Sequence, residues 1–397
     1  MNAVTPNPRT DGSRLQGVLA YVSDADSEAM LNRVAVQLAL PNFEVRRGDI
    51  RAAERDLKTQ RSPAVLFVDV SDIDTVLDAV QSLSEVCEPQ LQVAVIGSRN
   101  DVGLYRSLAG LGAAEYLFKP LTAELVETVM WRLTTGASRT GDGRLGKLVA
   151  VTGARGGVGA SSIAANLATY LADKASRRVV LVDLDTRNGA QALLVNAKPN
   201  AGLAEALEAP GRIDDLFLER ATIAVAPRLD LLASEMPVNR QPVVTIEACE
   251  TLLTRLRRSY HYVVIDLTGA RELHEPLLAA ANLQLLVVEA TLLAVRDAAR
   301  RLDTSTAAGQ RAVVVHNKAG RPGDLTAEDF ASALRRAPDA VVPYLPKVFG
   351  SGINLGKPAW QSDARVETAI ALLARELSGQ ATRTAAPPLY KRLLGLK

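Results

Sequence analysis

A chain of 397 residues with 48% hydrophobic and 23% charged side chains has the composition of a soluble globular protein of two or three domains. Its 46 basic and 44 acidic residues leave a formal charge of +2, too small a surplus to imply nucleic-acid binding. The two cysteines, Cys87 and Cys249, are far apart and have no close Cys or His neighbour in sequence, which argues against a disulfide framework or a thiolate metal centre.

Residues 1–14 are polar and proline-broken with no apolar leader segment, and no later stretch reaches about 18 consecutive apolar residues. The expectation is a cytoplasmic protein with a disordered start. From residue 15 to 134 apolar runs alternate with helical periodicity, as in a parallel α/β domain. The strands read as Val18–Val22, Ala64–Val68, Val93–Ile96 and Glu115–Phe118, and ligand groups belong at their carboxyl ends.

Those ends carry Asp24, Asp69, Gly97-Ser98 and Lys119-Pro120, and with Gly112-Ala-Ala-Glu-Tyr-Leu-Phe-Lys-Pro120 they resemble the site of a response-regulator receiver domain, a flavodoxin-like parallel sheet. The resemblance implies a phosphoacceptor set of Asp69, Asp24 and Lys119. Ser23 stands where a receiver has its first acid, and Gly97 where it has a hydroxyl residue. A pocket with one acid fewer holds Mg²⁺ less firmly. Two readings stand, a phosphorylated receiver and a pseudo-receiver used for docking, and the lost acid favours the second.

Residues 135–145, rich in glycine and small polar side chains, read as a linker. A second domain is expected over 146–380. It opens on Val149-Ala-Val-Thr-Gly-Ala-Arg-Gly-Gly-Val-Gly-Ala-Ser-Ser162, an apolar strand that breaks into a glycine-rich turn before an amphipathic helix. This is the layout of a phosphate-binding loop, in which Gly156, Gly157, Val158, Gly159, Ala160, Ser161 and Ser162 would present backbone N–H groups and hydroxyls to an anion. Such glycines also serve a plain strand-to-helix turn. Against G-x-x-x-x-G-K-[ST], Ala160 stands where lysine belongs, so the loop lacks its usual cation.

Arg155-Gly-Gly-Val-Gly-Ala-Ser161 resembles the deviant loop Lys-Gly-Gly-x-Gly-Lys-[Ser/Thr] of the MinD/ParA superfamily of dimerising ATPases. The resemblance implies a P-loop parallel sheet with helices on both faces, bound ATP and Mg²⁺, and Arg155 in the place of the lysine that reaches across the dimer. Arg178-Val-Val-Leu-Val-Asp-Leu-Asp185 is a buried strand ending in two acids, which could equally cap neighbouring helices. By resemblance Asp185 positions the attacking water and Asp183 lies nearer the metal. Tyr262-Val-Val-Ile-Asp266 resembles a Walker B strand, so that Asp266 would hold Mg²⁺ through water and Ser161 would ligate it directly. Leu267-Thr-Gly-Ala270 departs from the family's Thr-Pro-Pro-like switch.

Further strands read at Gln284–Glu289 and Arg311–Lys318. Asn317 resembles the superfamily's adenine-recognising asparagine, and the loop around Pro343 its base-packing segment. His261, His274 and His316 read as packed side chains. Asn354-Leu-Gly-Lys-Pro358 matches a late superfamily segment, and an amphipathic helix follows over Val366–Leu377. The tail, 381–397, places Leu389, Leu393 and Leu396 on one helical face with Lys391 and Arg392 turned away. It resembles the membrane-targeting tail of MinD, and docking on its own domain or a partner fits equally.

The segments Gly202–Leu207, Ile213–Leu218 and Leu229–Ser234, with the domain pairing, resemble the CpaE/TadZ proteins of Tad (Flp) pilus assembly. That branch implies an ATP-linked homodimer that places the pilus secretion machinery at a cell pole or focus, through contacts with the secretion ATPase or other Tad components and without nucleic acid. The missing lysine at 160 removes a charge-assisted hydrogen bond of roughly 1.5–3 kcal/mol, so ATP binds more weakly unless Arg155 compensates, and the charge lost from phosphoryl transfer makes slow or negligible hydrolysis the expectation. The competing readings are a ParA-type DNA-partitioning ATPase and a phosphorelay regulator with an ATPase-like output. An iron–sulfur reductase of the same fold lacks its paired cysteines.

Overall fold

Short runs of β-branched residues, buried on both sides, favour parallel sheets covered by helices, and the chain forms two of them. The computed structural model describes residues 17–135, 145–237, 244–268, 274–307 and 311–378. It divides into two units, Met1–Leu145 and Gly146–Lys397. The expected disordered start, most of the 135–145 linker and the 381–397 tail lie outside the described residues.

In the first unit β1 (Val18–Val22), β2 (Phe43–Arg47), β3 (Val65–Asp69), β4 (Gln92–Gly97) and β5 (Glu115–Phe118) lie in the order β2-β1-β3-β4-β5, all parallel. This is the flavodoxin-like order, whose switch point falls between β1 and β3. Central β1 and β3 are buried along their whole length, whereas β2 is a half-exposed edge. Its Glu44, Arg46 and Arg47 hide it from a search for apolar runs. Helices α1 (Ala25–Gln37) and α5 (Ala123–Thr134) pack Leu31, Val34, Val126 and Met130 on one face. The other face is covered by α2 (Ile50–Leu57), α3 (Val76–Val86) and α4 (Val102–Gly110).

The second unit contains β6 (Lys147–Gly153), β7 (Val179–Asp183), β8 (Ile223–Ala226), β9 (Leu229–Leu232), β10 (Tyr262–Asp266), β11 (Leu283–Val288), β12 (Ala312–Ala319) and β13 (Ala340–Pro343). Their order is β13-β12-β11-β6-β10-β7-β9-β8, parallel except that β8 runs antiparallel to β9. Register places Asp266 opposite Asp183 on β7 and opposite Val151 on β6. The two acids therefore share the carboxyl end of the sheet with the glycine loop.

Helix α6 (Ala160–Asp173) buries Ile163, Leu167 and Leu171 against that sheet. It is pinned from outside by Trp360, whose backbone N–H donates to Asn166 Oδ1 (3.1 Å) and whose indole N–H donates to Thr169 Oγ1 (2.9 Å). The last helix among the described residues, α7 (Ala364–Ser378), lies on the same face. Truncating one of these buried leucines to alanine costs about 2–5 kcal/mol. The opposite face carries Gly202–Glu208, Ile246–Ser259 and His274–Ala280. Among the described residues no helix is long and apolar enough to cross a membrane.

Candidate functional site

In the first unit the carboxyl ends of β1, β3 and β5 bring Ser23, Asp24, Asp69 and Lys119 together. Asp69 is fully buried, and both of its oxygens are taken. Oδ2 accepts from the Ser23 N–H (3.0 Å), the Ser23 hydroxyl (2.6 Å) and Lys119 Nζ (2.5 Å). Oδ1 accepts from the Ser71 N–H (2.9 Å) and hydroxyl (2.6 Å). Burial pushes the Asp69 pKa up, but Lys119 and the serine donors outweigh it and hold the carboxyl at about 2. Lys119 also bonds Asp24 (2.6 Å), which is occupied in capping α1 through the Ser27 N–H (2.7 Å).

Gly97 has a local steric reason. A Cβ there would sit 2.4 Å from the Tyr116 hydroxyl, which donates to the Arg99 carbonyl (2.7 Å). The space of the missing hydroxyl residue is filled by a tyrosine side chain.

In the second unit the chain leaves β6 at Gly153 and re-enters a helix at Ala160. Gly159 caps that helix in the left-handed region (φ 93°), and a Cβ on it would lie 2.4 Å from Asn317 Nδ2. Only glycine satisfies both constraints. Val158 and Ala160 turn their side chains inward and are buried. Around Gly156 and Gly157 a Cβ would meet nothing within 4 Å, so the outer side of the loop is open. Arg155 points out of the loop and pairs with Asp297 (2.7 Å). Asn317, expected to face a base, is buried and directs its amide N–H to the Val158 carbonyl (2.8 Å).

Beside the loop lies a hydrogen-bonded chain of oxygens. Ser161 Oγ is 3.0 Å from Thr268 Oγ1, and Thr268 donates its hydroxyl and its N–H to Asp266 Oδ1. Gln191 Nε2 donates to Asp266 Oδ2 (2.7 Å) and to the Ser161 carbonyl (3.1 Å). The Gln191 N–H donates to Asp183 Oδ2 (3.0 Å), and the Asp185 N–H to Asp183 Oδ1 (3.2 Å). Burial first, and the Asp266 charge as well, raise the Asp183 pKa to about 7. Asp185 is only partly buried and closes a turn by accepting from the N–H groups of Arg187 (3.2 Å) and Asn188 (2.9 Å).

These features fit a divalent cation beside a phosphate chain. The donors are hard oxygens, two buried carboxylates face each other across neighbouring strands, and Gln191 Oε1 is buried with no hydrogen-bond partner. Among the described residues no group of three or more His, Cys, Asp or Glu could hold a metal, so any ion here rests on hydroxyls and water as well as acids.

Residues 146–310 match the family described as an AAA domain. A ParA family ATPase from Chlorobium tepidum TLS matches with 19% identity and a TM-score of 0.53, over 58% of this chain and 98% of that one. The second unit has the ParA fold. MinD from Pyrococcus horikoshii OT3, a septum site-determining protein complexed with Mg-ADP, matches at 20% identity and TM-score 0.48 over 60% of this chain and 98% of that one. The pilus assembly protein CpaE from Caulobacter crescentus CB15 matches at 29% identity and TM-score 0.28 over 30% of this chain and 98% of that one. No curated protein matches the chain.

Several residues around the glycine loop carry no motif signal. Gln191 lies after β7, and Thr268 in the segment 267–270, of which 269 and 270 lie outside the described residues. Asp297 and Lys318 reach the loop from a helix and a strand distant in sequence. His274 binds the loop's own strand: Arg301 donates to its Nε2 (3.1 Å), and the Thr152 hydroxyl lies 2.6 Å from the same atom. Burial and then the Arg301 charge lower its pKa. His316 stacks on Phe330 (centroids 4.2 Å apart), and His261 Nδ1 accepts from the Arg178 N–H (3.1 Å).

Proposed function

We propose that this protein is an ATP-binding, dimerising assembly factor that places the secretion machinery of a Tad (Flp) pilus at a cell pole or focus. The observation that carries the reading is the oxygen cluster of Ser161, Thr268, Asp266, Gln191 and Asp183 beside an open glycine loop. The motif order and the receiver-like first unit support the pilus branch. Mg-ATP, when bound, supplies a charge-compensated triphosphate.

The chain's residues then divide the work. The N–H groups between Arg155 and Ser162 would take the phosphates, Ser161 would ligate the cation and Asp266 would hold it through water, with Asp183 nearer the metal. Asp185 would position the attacking water, and Pro343 would pack on the base. Arg155 would leave Asp297 to contact the partner copy's nucleotide, which an arginine fork does well. With a methyl at position 160 no helix-borne cation stabilises the developing charge, so turnover stays below about 1 s⁻¹.

Sedimentation of wild type and Arg155→Ala with and without Mg-ATP tests this reading. Wild type dimerises with Mg-ATP and Arg155→Ala does not; indifference of both to nucleotide overturns the switch. The closed cage around Asp69 disfavours the phosphorelay alternative, since no carboxylate oxygen is free to attack.

A further inference from the structure

The ParA-type loop lacks a lysine at 160, yet a lysine touches it from another strand. Lys318 Nζ donates to the Gly157 carbonyl (2.6 Å) and lies 3.3 Å from Glu289. Asn317, its neighbour, donates to the next carbonyl in the loop, Val158 (2.8 Å). Two consecutive side chains thus hold two consecutive loop carbonyls.

Adjacent residues of a regular strand point to opposite faces and could not do this. Here His316 faces Phe330, the β12–β13 register shifts between His316 and Ala319, and Lys318 adopts φ 59°. A non-glycine residue in that region is uncommon and is held there by its surroundings. The irregularity turns Lys318 to the same side as Asn317. Glu289 steadies Lys318 and is itself bonded by Arg321 (3.1 Å).

We propose that Asn317 and Lys318 form a clamp that sets the glycine loop in its anion-binding shape, and that Lys318 is the cation this loop has in place of a lysine at 160. The physical effect is preorganisation. Pinning the Gly157 and Val158 carbonyls on the β12 side fixes the two peptide planes that carry them, so the Val158 and Gly159 N–H groups need no phosphate to orient them. The proposal makes both side chains positioning residues and rests on the nucleotide reading only for its second half.

The test uses the full chain and the variants Lys318→Met and Lys318→Arg. In nucleotide-free protein, hydrogen exchange of the loop amides 154–160 speeds up about tenfold in Lys318→Met and stays near wild type in Lys318→Arg, with the melting temperature of both unchanged. Calorimetry with Mg-ATP shows binding about tenfold weaker in Lys318→Met, and adding Ala160→Lys to that variant restores it. Loop exchange and affinity both unmoved in Lys318→Met overturn the clamp while the nucleotide reading stands. Faster loop exchange in Lys318→Met with no heat from Mg-ATP on wild type keeps the clamp and sinks the nucleotide reading.

Discussion

The two units place acids at the carboxyl ends of parallel strands, but one arrangement is closed and the other open. Asp69 has five protein donors on its two oxygens and no exposure, whereas the acids of the ParA-type unit lie beside a loop with free space and a buried acceptor that nothing satisfies. Topology alone puts ligand groups at strand ends. Local chemistry decides whether they are satisfied by the protein or left for a ligand. A serine at 23 can donate where an acid could not, and that single exchange lets the first site complete its own hydrogen bonding.

The largest effect expected from breaking this contrast is at Gly159. Replacing it with alanine forces a side chain into the left-handed region and onto Asn317, at a cost of about 1–3 kcal/mol in the fold. Mg-ATP binding measured by calorimetry should fall more than about 100-fold. Gly156→Ala meets open space, and its unfolding free energy from denaturant titration should stay within about 0.5 kcal/mol of wild type.

Asp69 sharpens the closed side. Its folded pKa of about 2 lies below the ordinary 3.8, so the stabilisation is complete above about pH 4 and is lost as the pH falls towards 2. The shift corresponds to about 2 kcal/mol. Denaturation of Asp69→Asn should show that loss at neutral pH and a shallower decline between about pH 4 and 2; equal pH slopes would contradict the cage. Acetyl phosphate with Mg²⁺ should leave wild type unmodified by intact mass.

The smallest effect concerns Arg155. Asp297, whose pKa is held down first by Arg296 and then by Arg155, competes with any partner for the guanidinium. Asp297→Asn should leave the melting temperature unchanged and let Mg-ATP dimers form at a few-fold lower protein concentration by sedimentation. A weaker dimer would mean that Asp297 assists the contact.

Local sequence signals determined the parallel α/β architecture, most strands and the position of the glycine loop, because β-branched runs and Gly156, Gly157 and Gly159 act through the backbone over a few residues. The edge strand Phe43–Arg47 escaped because its charged residues break the apolar pattern. Tertiary structure alone decided that Asn317 and Lys318 hold the loop, that Gln191 bridges Asp266 and Ser161, and that Asp69 is sealed. Each depends on side chains tens to more than a hundred residues apart meeting at a strand end, through register and one irregular φ that no local pattern encodes.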